Sequence, residues 1–336
     1  MTTVSRKVKN RRIFILSIVM VISCAITLEI LAECVSTESK EQSIDGKLRI
    51  LVVGGHPADV FDHCGGTLLH HVRAGDSVTC LALTQGLRIH DKVVSDVFRF
   101  GTEGYTKEQI EEICAEREKV KYDEVRAACA LFGISDVRFL SYDDKILLVT
   151  PELIDAVARV IRDVKPHLVI THYPKSSGNT IDHHGNAAKI TIAACSLAGT
   201  VDFEDSNTSW RVTDLAFMLN LGDVTAFSAL DAGSTAVPNY FVDVTDVVEL
   251  KVRALDLMRS QQYEGDYARK NIEVWSGSFG YSNRTPYCEG FILNKPIVSD
   301  RIHISEHWLK RSNEPEKNMF DRDFKMKAPF VPMQEE

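Results

Sequence analysis

From Leu48 onward the chain alternates short apolar bursts with longer stretches in which apolar positions recur at helical spacing. "LRILVVGG" (48–55) is a β-branched burst closed by glycines, the pattern of a strand buried on both faces. "GGTLLHHVRAG" (65–75) predicts a helix closing at Gly75, with His70 and His71 on its surface, and "SVTCLALTQG" (77–86) predicts a second strand. Residues 87–106 are polar and predict a loop. "KEQIEEICAEREKVKYDEVRAACALFG" (107–133) is a long amphipathic helix stopped at Gly133, its charges forming a solvated face. "DVRFLSY" (136–142) predicts a third strand, "PELIDAVARVIRDV" a helix opened by Pro151, and "HLVITHYP" (167–174) a fourth strand. This alternation predicts an α/β domain, a mainly parallel sheet with helices on both faces.

In such sheets ligands bind beyond the carboxyl ends of the strands. His56 and Asp59 follow the first strand, Thr84-Gln85-Gly86 the second, Asp143 and Asp144 the third, and His172 the fourth. The polar chemistry of the chain therefore converges on one rim.

The first 45 residues follow a different pattern. "SRKVKNRR" carries five positive charges, and "IFILSIVMVISCAITL" then runs sixteen residues without a charge before Glu29. A basic region followed by an apolar one reads as a signal peptide or membrane anchor, here residues 1–35, with a polar linker over 36–47. Ser23-Cys24-Ala25 supplies small residues suited to cleavage. Export or membrane tethering is the expectation, with the domain proper over 48–300 and a charged tail over 301–336.

Composition narrows the function classes. The 336 residues are 44% hydrophobic and carry a formal charge of -8 spread along the chain, with no basic stripe or zinc-finger spacing, which excludes nucleic acid as the expected partner. Gly54-Gly55 does not complete a dinucleotide-binding glycine pattern. The eight cysteines include no CxxC pair, and Cys64, Cys80, Cys129 and Cys195 sit among apolar neighbours, where a thiol acts as a small hydrophobe.

The candidate chemistry lies in two clusters. "HPADVFDHCGG" (56–66) brings His56 and Asp59 to the end of the first strand, and "IDHHG" (181–185) brings Asp182, His183 and His184 to the same rim. Two imidazoles and one carboxylate, with a position left for water, form a recurrent catalytic set for zinc or another divalent metal. One of His183 and His184 is then a ligand and the other faces water, while Asp182 stands where it could orient an imidazole. The competing reading of His56 and Asp59 is a strand-to-helix turn with an aspartate cap. Asp62 and His63 lie one turn beyond Asp59 and either point at the site or solvate the helix. His172 is a site residue or a buried, hydrogen-bonded one.

His56-Pro57-x-Asp59 followed by Gly65-Gly66-Thr67-Leu68 resembles the signature of the PIG-L/LmbE-like deacetylases. "LTQG" (83–86), "ALFGISDVRFLSYDD" (130–144), Asp182-His183 and the segment 242–265 followed by "YCEGF" (287–291) extend the resemblance over roughly residues 48–295. It implies a Rossmann-like three-layer LmbE-like fold and a zinc-dependent N-deacetylase acting on an N-acetylated sugar or glycoconjugate. It also implies His56, Asp59 and His183 as metal ligands. The acid that the family places between Pro57 and Asp59 as its general base is Ala58 here, and the family's histidine three residues before the second metal-binding one is Thr180. Asp182, and after it Asp62, are the candidates to replace the missing acid. The alternative is a carbohydrate-binding pseudoenzyme that keeps the fold without turnover.

Overall fold

The computed structural model describes residues 46–99, 101–174, 182–224 and 236–325. The predicted leader 1–35, most of the linker and Thr180 lie outside the described residues. Leu48 begins a compact unit. Its seven-stranded sheet comprises β1 (Arg49–Gly54), β2 (Ser77–Thr84), β3 (Asp136–Tyr142), β4 (Leu168–His172), β5 (Asp214–Met218), β6 (Tyr240–Asp243) and β7 (Cys288–Leu293). The spatial order is β3-β2-β1-β4-β5-β7-β6. The first five of these in space run parallel, and β7 is antiparallel to both β5 and β6.

β1 shows why a continuous apolar run was needed. Ile50 and Val52 enter one core, with α1 (Gly65–Ala74), α4 (Lys107–Leu131), α8 (Val248–Asp256) and α9 (Asp266–Ser282) supplying the opposing residues. Leu51 and Val53 enter the other, against α5 (Pro151–Val164) and α6 (His183–Ala198). All four side chains are fully buried, and each contributes about 1.5–3 kcal/mol by leaving water. The chain winds from β1 outward through β2 to β3, then returns to β4 on the other side of β1. That reversal opens a crevice between the carboxyl ends of β1 and β4, the usual place for a ligand in a sheet of this kind. His56 follows β1 there and His172 ends β4.

The four strands and three helices expected over 48–174 form where the pattern places them. The stretch 87–106 does not stay a loop. It contains α2 (Leu87–His90) and α3 (Lys92–Phe98). Both are held by carboxylates: Asp144 accepts the backbone N–H groups of Leu87, Arg88 and Ile89 at 3.0–3.1 Å, and Asp91 accepts that of Val94 at 2.9 Å. Asp144 is distant in sequence, so a local pattern could not disclose its cap. After residue 300 the chain forms α10 (Glu306–Ser312) and α11 (Glu316–Lys325), following the short α7 (Leu221–Val224) and the helices already named.

Candidate metal centre

The site begins with a tight turn after β1. Pro57–Val60 forms a 3-10 turn with proline at its first position, where the missing N–H costs nothing. Within it the Asp59 N–H donates to the His56 carbonyl at 3.2 Å, and Asp59 Oδ2 accepts the His56 N–H at 2.7 Å. The aspartate is therefore partly a turn-former, as the competing reading required, but that bond occupies only a fraction of its contacts. The end of β2 supports the turn from beside it. Thr84 Oγ1 donates to the Gly55 carbonyl at 2.7 Å, and Gly86 adopts a φ of +63° against Pro57. A Cβ on Gly86 would lie 2.7 Å from Pro57 Cδ, so both the left-handed backbone and the close approach call for glycine.

Asp59 Oδ2 faces four nitrogens: His56 N at 2.7 Å, His172 Nε2 at 3.1 Å, His56 Nδ1 at 3.2 Å and His184 Nε2 at 3.3 Å. His172 Nε2 also meets the Gly55 N–H at 3.2 Å, so the position of its single ring proton decides which partner it serves. The His172 and His184 rings stack at 4.1 Å. Among the described residues, His56, Asp59 and His184 form the group whose ligand atoms lie within 4.8 Å of one another. The expected third ligand, His183, is not in that group. It places Nδ1 3.0 Å from His56 Nε2. The physical reason is the helix start: α6 opens at His183, and successive helical residues diverge by about 100°, so one step along the chain decides which imidazole faces Asp59.

The donor set suits a divalent ion. Two imidazole nitrogens and a carboxylate oxygen are the ligand types of hydrolytic zinc sites, and His172 supplies a further partner to the carboxylate. Burial alone would raise the Asp59 carboxyl, but His184, His56 and His172 outweigh it and hold it well below the usual carboxylate range. Burial opposes charge on His184 too, yet Asp59 pushes that imidazole up to about 9. Without an ion, then, a proton on His184 neutralises the carboxylate.

The two candidate acids sit in unlike places. Asp182 caps α6 by position without a side-chain capping bond, and is half-buried next to His183. Asp62 is buried, its Oδ1 makes no hydrogen bond, and His63 Nε2 lies 3.5 Å from it. Burial first, and Asp59 second, push the Asp62 carboxyl well above the usual range, while burial holds the His63 imidazole well below its usual value. His63 packs on Trp275 at 4.6 Å, so neither residue of the pair is a solvated surface group. Ala58, where the resemblance places an acid, is a buried methyl in the apolar core with Val60 and Phe61.

One neighbour escaped the sequence pattern. His90, at the end of α2, meets the His56 ring edge-on at 4.5 Å, and burial, then His56, lower it to about 3. Its only signal was a histidine in a polar stretch, and what aims it is the Asp144 cap on α2.

Residues 51–195 match the GlcNAc-PI de-N-acetylase (PIG-L) family. The 1D-myo-inositol 2-acetamido-2-deoxy-alpha-D-glucopyranoside deacetylase of Rhodococcus erythropolis is 26% identical over 253 residues, 63% of this chain and 81% of that protein. The diacetylchitobiose deacetylase of Thermococcus kodakarensis is 27% identical over 229 residues, 68% of this chain and 73% of that protein. The fold is also that of the 4-carboxy-2-hydroxymuconate hydratase GalB of Pseudomonas putida, at a TM-score of 0.59 and 19% identity over 76% of this chain and 99% of that one. A hydratase on the same scaffold means that the fold alone does not decide the reaction.

Proposed function

The chain belongs to the PIG-L/LmbE-like deacetylase family, and from that premise we propose that it is a zinc-dependent N-deacetylase of an N-acetylated sugar or glycoconjugate. The observation that carries the proposal is the Asp59 carboxylate, buried among imidazoles at the crevice between β1 and β4. His56, Asp59 and His184 would hold the ion, with His183 against the other nitrogen of His56. A divalent ion there supplies a Lewis acid for the amide carbonyl and lowers the pKa of water, the two requirements of amide hydrolysis near neutral pH.

The chain's own residues must manage the protons. Ala58 offers no base, and loss of a positioned acid or base costs about 10²–10⁴-fold. Asp62, whose carboxyl burial pushes well above the usual range, suits donation to the leaving amine. Asp182, beside His183 and not engaged in capping its helix, suits proton acceptance from water. The test is acetate release from a panel of N-acetylated sugars, with and without chelator, beside Asp62→Asn and Asp182→Asn with metal content checked.

A second reading has one observation in its favour: the buried methyl of Ala58 replaces the acid the family relies on. On that reading the protein retains metal and binds glycans without turnover. Metal-loaded protein that binds N-acetylated sugars but releases no acetate would favour it. Residues 1–35 are proposed to export or tether the protein, supported by the basic stretch and the sixteen uncharged residues behind it. No helix of the described residues is long and apolar enough to cross a membrane, and the leader lies outside them. Cell fractionation with protease accessibility tests this. A full-length, soluble, cytoplasmic protein would contradict it.

A further inference from the structure

Glu289 lies on β7, beyond residue 195 where the family match ends, and is almost completely buried. Its carboxylate makes three contacts. Oε1 accepts the Gly66 N–H at 2.9 Å, Oε2 accepts the Thr67 N–H at 2.7 Å, and Lys251 Nζ donates to Oε1 at 2.5 Å. Lys251, from α8, is equally buried and reaches Ser276 Oγ of α9 at 3.3 Å. Gly66 and Thr67 belong to the first turn of α1, whose N–H groups have no acceptor within the helix. A single carboxylate thus satisfies two of these donors and meets the positive end of the helix, while Lys251 balances its charge out of reach of water. The approach depends on glycine. A Cβ on Gly66 would lie 2.5 Å from Val244 Cγ1 and 3.2 Å from Glu289 Oε1.

The first turn of α1 is joined to the metal-binding turn by a short segment that backbone hydrogen bonds tie to both. The Asp62 N–H donates to the Ala58 carbonyl at 3.1 Å, the Gly65 N–H to the Phe61 carbonyl at 2.7 Å, and the Leu68 N–H to the Cys64 carbonyl at 2.9 Å. Slack at Gly66 would pass toward Asp59 and Asp62 through the Gly65–Phe61 and Asp62–Ala58 bonds. We propose that Glu289, with Lys251 as its counter-ion, is a positioning residue for the metal centre, so that β7, α8 and α9 complete a site whose ligands all lie in the first two-thirds of the chain. The proposal rests on the reading of His56, Asp59 and His184 as a metal centre.

The test is Zn²⁺ affinity of the full-length protein, by competition with a chromogenic chelator, for wild type and Glu289→Gln. The substitution keeps the shape but leaves one acceptor for two N–H donors. The expected result is a loss of about 10–100-fold in zinc affinity, the range for residues that orient ligands, with kcat falling and KM unmoved. A Glu289→Gln protein that melts lower but binds Zn²⁺ as wild type does would overturn the proposal and leave Glu289 a stabilising residue only. If that variant does not fold, Lys251→Gln with Glu289→Gln removes both charges together and strands neither. The same affinity loss is expected of it, and unchanged affinity would again overturn the proposal. Wild-type protein that binds no Zn²⁺ would instead remove the metal centre itself.

Discussion

Two groups of polar side chains hold the segment between Gly55 and Thr67, one at each end. At the far end, Glu289 and Lys251 are closed to water, and the carboxylate finds a matching set of donors: two backbone N–H groups and one ammonium. At the near end, Asp59 Oδ2 meets three imidazoles besides a backbone N–H, and the His184 side chain keeps about a third of its surface exposed. The first arrangement is complete as it stands. The second sets three imidazole nitrogens around one carboxylate oxygen, an unmatched negative charge that suits a cation: a proton on His184 or a metal ion. Polar groups of similar type therefore serve fixation where charges match and binding where they do not.

The largest effect should come from removing the anion at the open end. Asp59→Asn leaves the imidazoles without a charged partner, and metal content and acetate release are both expected to fall to background. His184→Ala should lose the metal as well, whereas His183→Ala, which removes a neighbour of His56, should cost about 10–100-fold in affinity. Equal metal loss in both histidine variants would mean that His183 shares the ion directly.

Next in size are the two carboxylates proposed to move protons. Asp62→Asn and Asp182→Asn are each expected to lower kcat by about 10²–10⁴-fold with metal retained. Full activity in both variants would exclude both carboxylates.

The open end should also respond to pH in a way the closed end does not. Asp59 raises the His184 imidazole to about 9 against an ordinary value near 6.5, so the protonated ring stabilises the metal-free fold. That contribution is complete below about pH 6.5 and is lost as pH rises through about 9. Thermal melting of metal-free protein should therefore drop between pH 7 and 9.5, and His184→Ala should flatten the trend. Zinc affinity should rise over the same window, since the ion must displace that proton. A melting temperature independent of pH in wild type would contradict the ion pair.

The smallest effect concerns Asp144. Asp144→Asn removes the charge from a carboxylate that accepts three N–H groups at the start of α2. A cost of about 1 kcal/mol is expected, seen as a fall of about 2 °C in melting temperature. An unchanged melt would mean that α2, and His90 with it, is held by other contacts.

What the sequence disclosed and what it withheld divide along the same line. β1 to β4 were legible because continuous apolar runs and glycine stops are local signals. His56 and Asp59 were legible because motif spacing and strand ends coincide. His184, and not the expected His183, joins His56 and Asp59 in one cluster, because the facing of the two histidines depends on where α6 starts. The helices at 87–98 were hidden because their caps come from tertiary contact and from a polar residue read as loop. The Lys251–Glu289 pair, 38 residues apart and bonded to a helix more than 200 residues away, has no local signature at all.

The imidazole–carboxylate cluster is proposed to make this chain a metal-dependent deacetylase despite Ala58. The most direct measurement is acetate release by zinc-loaded wild type from a panel of N-acetylated sugars, repeated after chelation and after zinc is returned. Activity on at least one sugar that disappears with the chelator and returns with zinc is the predicted result. Stoichiometric zinc with no acetate released from any sugar of the panel would contradict this, and would mean that the cluster binds metal without turnover.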